Sequence, residues 1–180
     1  KSLFSFLPTR IKLDLLDFTD TDIFSHWKKE MEIKTGRQVI DIEIKALNLL
    51  KNYISKDFVK VVNLLLKNKG KIVVSGIGKS GHIASKIAST LSSVGSPSFY
   101  VHPSEANHGD LGMLEKKDVV ILISNSGETS ELINLILYCK KIKIPIISIT
   151  SELNSTLSRE SNLNLLIPKN IEACPLELAP

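Results

Sequence analysis

The chain has 180 residues, 43% of them hydrophobic and 23% charged, the balance of a globular domain with a sizeable core and not of a disordered or fibrous chain. Its 23 basic and 19 acidic residues leave a formal charge of +4. The lysines are scattered and the basic runs, Trp27-Lys-Lys29 and Lys140-Lys141, are short, which reads as a solvated surface and excludes a nucleic-acid footprint. No apolar run approaches the roughly 18 residues that span a bilayer, so no membrane association is expected, and the first residues lack the apolar core and cleavage site of a signal peptide. Cys139 and Cys174 lie far apart without C-x-x-C spacing, which points to a reduced, cytoplasmic setting with neither a disulfide framework nor a zinc knuckle. The first residue is Lys1 and not Met, as in a trimmed product.

In chain order, residues 1–34 show scattered apolar and acidic side chains, an early Pro8 and no persistent period, and are expected to form an N-terminal arm before a folded domain at 35–180. From 37 to 54 the pattern turns helical. Ile40, Ile44, Leu47 and Leu50 make one apolar stripe; Val39, Ile42, Ala46, Leu49 and Tyr53 make a second beside it. A face that wide covers more than one surface, either its own domain and a second subunit or two layers within the monomer. A second helix at 57–67 stops at Asn68-Lys-Gly70. Beyond it, strands at 72–74, 98–101, 119–123, 146–149 and 163–167 alternate with helices at 80–94, 130–141 and 153–160. Continuous Val/Ile runs suit strands covered on both faces, so the expected fold is α/β, a mainly parallel sheet between helical layers.

Lys71-Ile-Val-Val-Ser-Gly-Ile-Gly-Lys-Ser-Gly81 is a strand, a glycine turn and the start of a helix. Unpaired N–H groups at a helix start favour an anion, and Lys79 there is unfavourable by about 0.3–1 kcal/mol unless something negative sits beside it. The dinucleotide reading of this turn wants an acidic residue about twenty positions on, where this chain has Tyr100-Val101-His102. The nucleotide P-loop needs a longer gap than Gly76 to Lys79. A phosphate or sugar-phosphate cradle remains, beside the plainer reading of a tight turn that binds nothing.

Ser124-Asn-Ser-Gly-Glu-Thr-Ser-Glu131 follows a strand and opens a helix with hydroxyls and backbone N–H groups suited to phosphate oxygens, or simply to capping. Of Glu128 and Glu131, both on that first turn, one is expected to be structural. His102, Glu105, His108 and Asp110 match no standard metal spacing, and substrate hydroxyl contacts are the preferred use of the histidines. Glu172, past the last strand, sits where a carboxylate could serve as a general base or equally as a surface cap.

In this order, Gly76-Ile-Gly-Lys-Ser-Gly-His82, Gly95-Ser-Pro-Ser98, Val101-His-Pro103, His108-Gly-Asp-Leu-Gly-Met113, Ser124 through Glu131, and Glu172-Ala-Cys-Pro175 through Leu178-Ala-Pro180 resemble the sugar isomerase (SIS) domain family. Within it, they resemble the arabinose 5-phosphate isomerases, over about residues 36–180. The resemblance implies a three-layer αβα sandwich, a five-stranded parallel sheet of flavodoxin-like order 2-1-3-4-5, a homotetramer, and no cofactor. It implies reversible conversion of D-ribulose 5-phosphate to D-arabinose 5-phosphate, feeding 3-deoxy-D-manno-octulosonate and lipopolysaccharide. By resemblance Lys79, Glu131 and Glu172 belong to the catalytic set. Gly95, Ser96, His102 and His108 contact substrate, and the position of His102 also binds inhibitory zinc.

The chemistry suggests Glu172 as proton-shuttling base, Lys79 as electrostatic partner of the enediolate or phosphate, and Glu131 as a second acid/base or orienting carboxylate. Gly78, Ser80, Ser124, Asn125, Ser126 and Thr129 would hold the phosphate. Members of the family usually continue past the Leu-Ala-Pro segment into further helices with another catalytic His and often two CBS modules, so 180 residues alone could fold without turning over. Rival readings are a non-catalytic sugar-phosphate sensor that regulates a partner and an isomerase of another phosphosugar. Retention of both carboxylates with Lys79 favours the enzyme.

Overall fold

The computed structural model describes residues 21–106 and 108–169. The chain divides into two compact units, 1–44 and 45–180, and the first helix, α1 (Thr21–Leu50), runs across that division. In the first unit, Met31, Ile33, Val39, Ile40 and Ile44 are exposed. The helix starts well before residue 37, where the apolar period begins. Glu30, Met31, Glu32 and Lys34 are good helix formers and only Gly36 opposes them, by about 1 kcal/mol, so propensity extends the helix where no apolar stripe announces it.

In the second unit a 3-10 turn, Lys51–Tyr53, leads to α2 (Lys56–Lys67). Ser55 caps α2 by accepting from the Asp57 N–H at 3.2 Å, and Asn68 ends it by donating to the Gly70 and Lys71 carbonyls. The chain then alternates β1 (Ile72–Gly76), α3 (Gly78–Ser93), β2 (Ser98–Val101), α4 (Pro103–Ala106), β3 (Val119–Ile123), α5 (Ile133–Ile142), β4 (Ile146–Thr150), α6 (Thr156–Glu160) and β5 (Leu163–Leu166). All strand pairs are parallel and the sheet order is β2-β1-β3-β4-β5. The expected helix at 130–141 begins with a 3-10 turn, Ser130–Leu132, and the one expected from 153 begins only at Thr156, after Ser155 accepts from the Ser158 N–H. The short α4 and a 3-10 turn at Asp110–Met113 carry too few residues to show a period.

Side chains alternate along each strand and build two cores. Ile72, Val74, Val119, Ile121 and Ile123 meet α2 and α3 through Val61, Ala84 and Ala88. Val73, Val120, Leu122 and Ile146 meet α4, α5 and α6 through Ala106, Leu135, Ile136, Cys139 and Leu157. This is the αβα sandwich, each buried Val, Leu or Ile contributing about 1.5–3 kcal/mol. At the amino edge of the sheet, buried Asp118 accepts from the Lys71 and Glu115 N–H groups, both at 2.8 Å. Within the second unit, Leu47, Leu49 and Tyr53 of the predicted stripes are exposed, whereas Ala46 and Leu50 are half-buried. Among the described residues no helix is long and apolar enough to cross a membrane.

Candidate functional site

Because β1 connects leftward to β2 and the chain next adds β3 on the other side, the strand order reverses between β1 and β3. Open α/β sheets bind ligands outside the carboxyl ends of the strands at such a point. Gly76 and Ile123, the last residues of the two strands, are register partners, so the turns that follow them stand side by side.

The first turn is made close by its glycines. A Cβ on Gly81 would lie 2.8 Å from the Gly76 carbonyl and 2.9 Å from the Tyr100 hydroxyl, closer than real Cβ atoms come. The Tyr100 hydroxyl donates to that same Gly76 carbonyl at 2.9 Å. Gly78 opens α3 at φ +59°, Lys79 is exposed and Ser80 half-buried. No acidic residue lies in the first turn of α3. The cation therefore stands on the positive end of a helix, where it opposes the dipole and favours a guest of negative charge.

The second turn is tied down from several sides. The Ser124 and Thr129 hydroxyls are 2.7 Å apart, and Ser124 Oγ accepts from the Gly127 N–H at 3.0 Å. The Asn125 carbonyl accepts from Thr150 Oγ1 at 3.0 Å and from Ser151 Oγ at 2.9 Å. Ser126 Oγ accepts from the Glu128 N–H, and Glu128 Oε1 accepts from the Thr156 N–H at 2.7 Å. Hydrogen bonding from Thr156, side chain first and backbone second, holds the Glu128 carboxyl below its ordinary range. Glu128 is thus the structural carboxylate of the expected pair, joining the turn to α6. Glu131 is exposed and accepts from the Ser130 hydroxyl at 3.0 Å. Buried Ser124 spends its hydroxyl inside the loop and fastens it, whereas Asn125 and Ser126 are exposed and Thr129 half-exposed. A shallow cleft lined by Glu128, Thr129, Ile133, Ile136 and Thr156 lies between α5 and α6.

His102 follows β2 at the same carboxyl edge. Its Nδ1 accepts from the Ser104 N–H at 3.3 Å, which puts the proton of the neutral ring on Nε2. His108, exposed, lies just beyond α4. Among the described residues no three His, Cys, Asp or Glu side chains come together as a metal site, so His102, Glu105, His108 and Asp110 do not form one, and the expected zinc on His102 has no built ligand set there.

Two expected contacts fall elsewhere. Gly95 and Ser96 end the α3–β2 connection, where the Pro97 carbonyl accepts from the Ile72 N–H at 2.8 Å. That is the amino edge, four residue steps or about 13 Å of strand from Gly76, because α3 carries the chain back across the sheet before β2 begins. Within one chain they do not join Lys79. Glu172 lies outside the described residues.

Three contributors escape the sequence reading. Thr150 and Ser155 pack under the second turn, and Tyr100 bridges to the first. The pairing of Tyr100 with Val74 puts an aromatic ring with a polar tip near the end of a buried strand, a pattern that asks for a hydrogen-bond partner.

Residues 65–180 match the SIS domain family. The chain is 48% identical over 148 residues to the arabinose 5-phosphate isomerase KdsD of Pseudomonas aeruginosa, covering 82% of this chain and 45% of that protein. It is 47% identical over 151 residues to the Francisella tularensis protein of the same name, covering 82% and 46%. The chain thus spans less than half the length of these curated relatives. Among solved structures it is similar to an Escherichia coli CFT073 protein in complex with arabinose 5-phosphate, at 42% identity and TM-score 0.67, covering 91% of this chain and 82% of that one. A Listeria monocytogenes crystal structure superposes with TM-score 0.80 at 33% identity, covering 83% and 79%. With the sheet order, the two turns at its switch point and this likeness in agreement, the chain belongs to the SIS domain family.

Proposed function

We propose that the chain is the sugar-phosphate-binding part of an aldose–ketose isomerase that interconverts D-ribulose 5-phosphate and D-arabinose 5-phosphate. The observation that carries this reading is the pair of anion-suited turns, one with Lys79 and one with Asn125, Ser126 and Thr129, flanking the β1–β3 switch point. Similarity to proteins named for this reaction, and to one solved with arabinose 5-phosphate, supports it.

In the reaction a base takes a proton from C1 of the ketose. The C–H electron pair forms the C1=C2 bond of an enediolate, and the C2 oxygen takes up the charge. Return of the proton to C2, with the O1 proton passing to O2, leaves an aldehyde at C1. The electrons lost at C1 are gained at C2, so the step needs no external oxidant. Glu172 is assigned the base, Glu131 a second or orienting carboxylate, and Lys79 the cation beside enediolate or phosphate. Gly78, Ser80, Asn125, Ser126 and Thr129 hold the phosphate; His102, as an Nε2 donor, and His108 meet sugar hydroxyls.

A homotetramer fits the exposed Ile40, Ile44, Leu47, Phe58, Val59 and Leu66, which a second copy would cover. It also fits Gly95 and Ser96, which can join Lys79 only from another copy. The functional domain is assigned to 35–180 with 1–34 as an arm, and the setting to a cytoplasm that makes 3-deoxy-D-manno-octulosonate for lipopolysaccharide.

The test is to incubate the full-length protein with ribulose 5-phosphate in deuterated water and follow deuterium into C2 of arabinose 5-phosphate. Binding without exchange makes the protein a sensor, and turnover confined to a hexose phosphate makes it another isomerase; either result overturns the proposal. Exchange at the wild-type rate in Glu172→Gln removes that residue from the base role.

A further inference from the structure

We propose that Tyr100 is a positioning residue that holds the Lys79 turn and the His102 ring in one fixed relation. The phosphate-turn and His102 roles it acts on are those of the isomerase reading, so the proposal rests on that reading. Tyr100 pairs with Val74 in the middle of β1, and its ring packs with the core under α3. From there the hydroxyl reaches the carboxyl end of the neighbouring strand and donates to the Gly76 carbonyl at 2.9 Å. Gly81 is bare on the side that faces this bond: a Cβ there would sit 2.9 Å from the Tyr100 oxygen and 2.8 Å from the Gly76 oxygen. The last residue of β1, the first turn of α3 and the phenol therefore form one closed bracket around Gly78, Lys79 and Ser80.

The same ring stands edge-on to His102, with centroids 6.4 Å apart and planes at 82°. That geometry is the favoured T-shaped arrangement of aromatic pairs. His102 is fixed on its other side by the Ser104 N–H on Nδ1. Below, the Ser75 hydroxyl donates to the Val101 carbonyl at 2.7 Å and locks β1 to β2 immediately before both turns. One side chain thus touches two connections that are separate in sequence, the one bearing Lys79 and the one bearing His102. Its hydroxyl is spent on the Gly76 carbonyl and its ring edge on His102, the contacts of a positioning residue. Burial also pushes the phenol above its ordinary range, so it remains a donor at neutral pH.

The experiment uses the full-length protein with Tyr100→Phe, which keeps the ring and removes the donor, and Tyr100→Leu, which removes both. Three quantities are read: kcat and KM for ribulose 5-phosphate, the thermal midpoint, and the His102 imidazole resonances with and without inorganic phosphate. Tyr100→Phe is expected to lower kcat/KM by about threefold to tenfold, the effect of one hydrogen bond, and to keep the His102 ring shift of the free protein. Its His102 response to phosphate is expected to shrink, because the turn no longer moves with the ring. Tyr100→Leu is expected to move the His102 resonances already in the free protein. A Tyr100→Phe protein with wild-type kcat, KM and phosphate response overturns the proposal, whatever its thermal midpoint. If the wild-type protein turns over no pentose phosphate, the isomerase reading falls; the imidazole resonances, read against phosphate alone, then still decide whether Tyr100 couples the two turns.

Discussion

Gly127 offers the sharpest quantitative test of the second turn. It adopts φ +66°, and a Cβ built on it would strike the Ser155 side chain and approach Thr150 Oγ1 to 3.1 Å. Gly127→Ala carries two costs. The left-handed conformation costs an L-residue about 1–2 kcal/mol. Relief of the contact requires Ser155 to leave a place where its hydroxyl donates to the Glu152 carbonyl at 2.7 Å and accepts from the Ser158 N–H at 3.2 Å. Those two bonds are worth about 0.5–1.5 kcal/mol each. The sum is about 2–5 kcal/mol, a large part of the roughly 5–15 kcal/mol that stabilises an ordinary domain. Urea unfolding by circular dichroism measures it. The double variant Gly127→Ala, Ser155→Gly removes the obstructing side chain but gives up the same two hydrogen bonds, so its deficit should match that of the single variant and not add to it, the non-additivity of two changes at one contact. A single variant within about 0.5 kcal/mol of wild type would show that the turn does not rest on this close approach.

Three further outcomes follow from the same geometry. Lys79→Met should leave stability unchanged or raise it by about 0.3–1 kcal/mol, since the cation opposes the α3 dipole, while phosphate binding and turnover fall; isothermal titration with phosphate beside urea unfolding reads both, and a destabilised variant that still binds phosphate refutes it. Glu128 has a folded pKa held under its ordinary 4.5, so its contribution is present at neutral pH and is lost as pH falls through the folded value. Glu128→Gln should accordingly be less stable than wild type at pH 7 and equal to it in strong acid, as paired denaturation curves across pH would show. Burial pushes the Cys139 thiol up to about 12, so in the folded protein alkylating reagents at pH 8 should leave it unlabelled in peptide maps and modify it only after denaturant is added.

The strands were legible because the central ones are covered on both faces. Val119–Ile123 and Ile146–Thr150 lie between two helical layers, so burial favours apolar residues at nearly every position and writes near-continuous Val/Ile/Leu runs. The first half of α1 shows the converse. Its side chains from Lys29 to Gly36 are exposed, no surface selects one face, and no period marks the helix. The two turns of the candidate site were legible as local chemistry and less so as place. Glycines and hydroxyls announced two turns, yet Ser124 and Ser126 look alike in sequence, and only packing separates the buried fastener from the exposed candidate ligand. Gly95 and Ser96 sit close to Lys79 along the chain, but the 16-residue helix that carries Lys79 in its first turn and ends just before Gly95 spans the sheet, and a parallel strand must restart at the far edge. Any site that uses both therefore has to be assembled from more than one chain. The divided set of expected substrate contacts is a consequence of the parallel topology, and the proposed homo-oligomer is the arrangement that would reunite it.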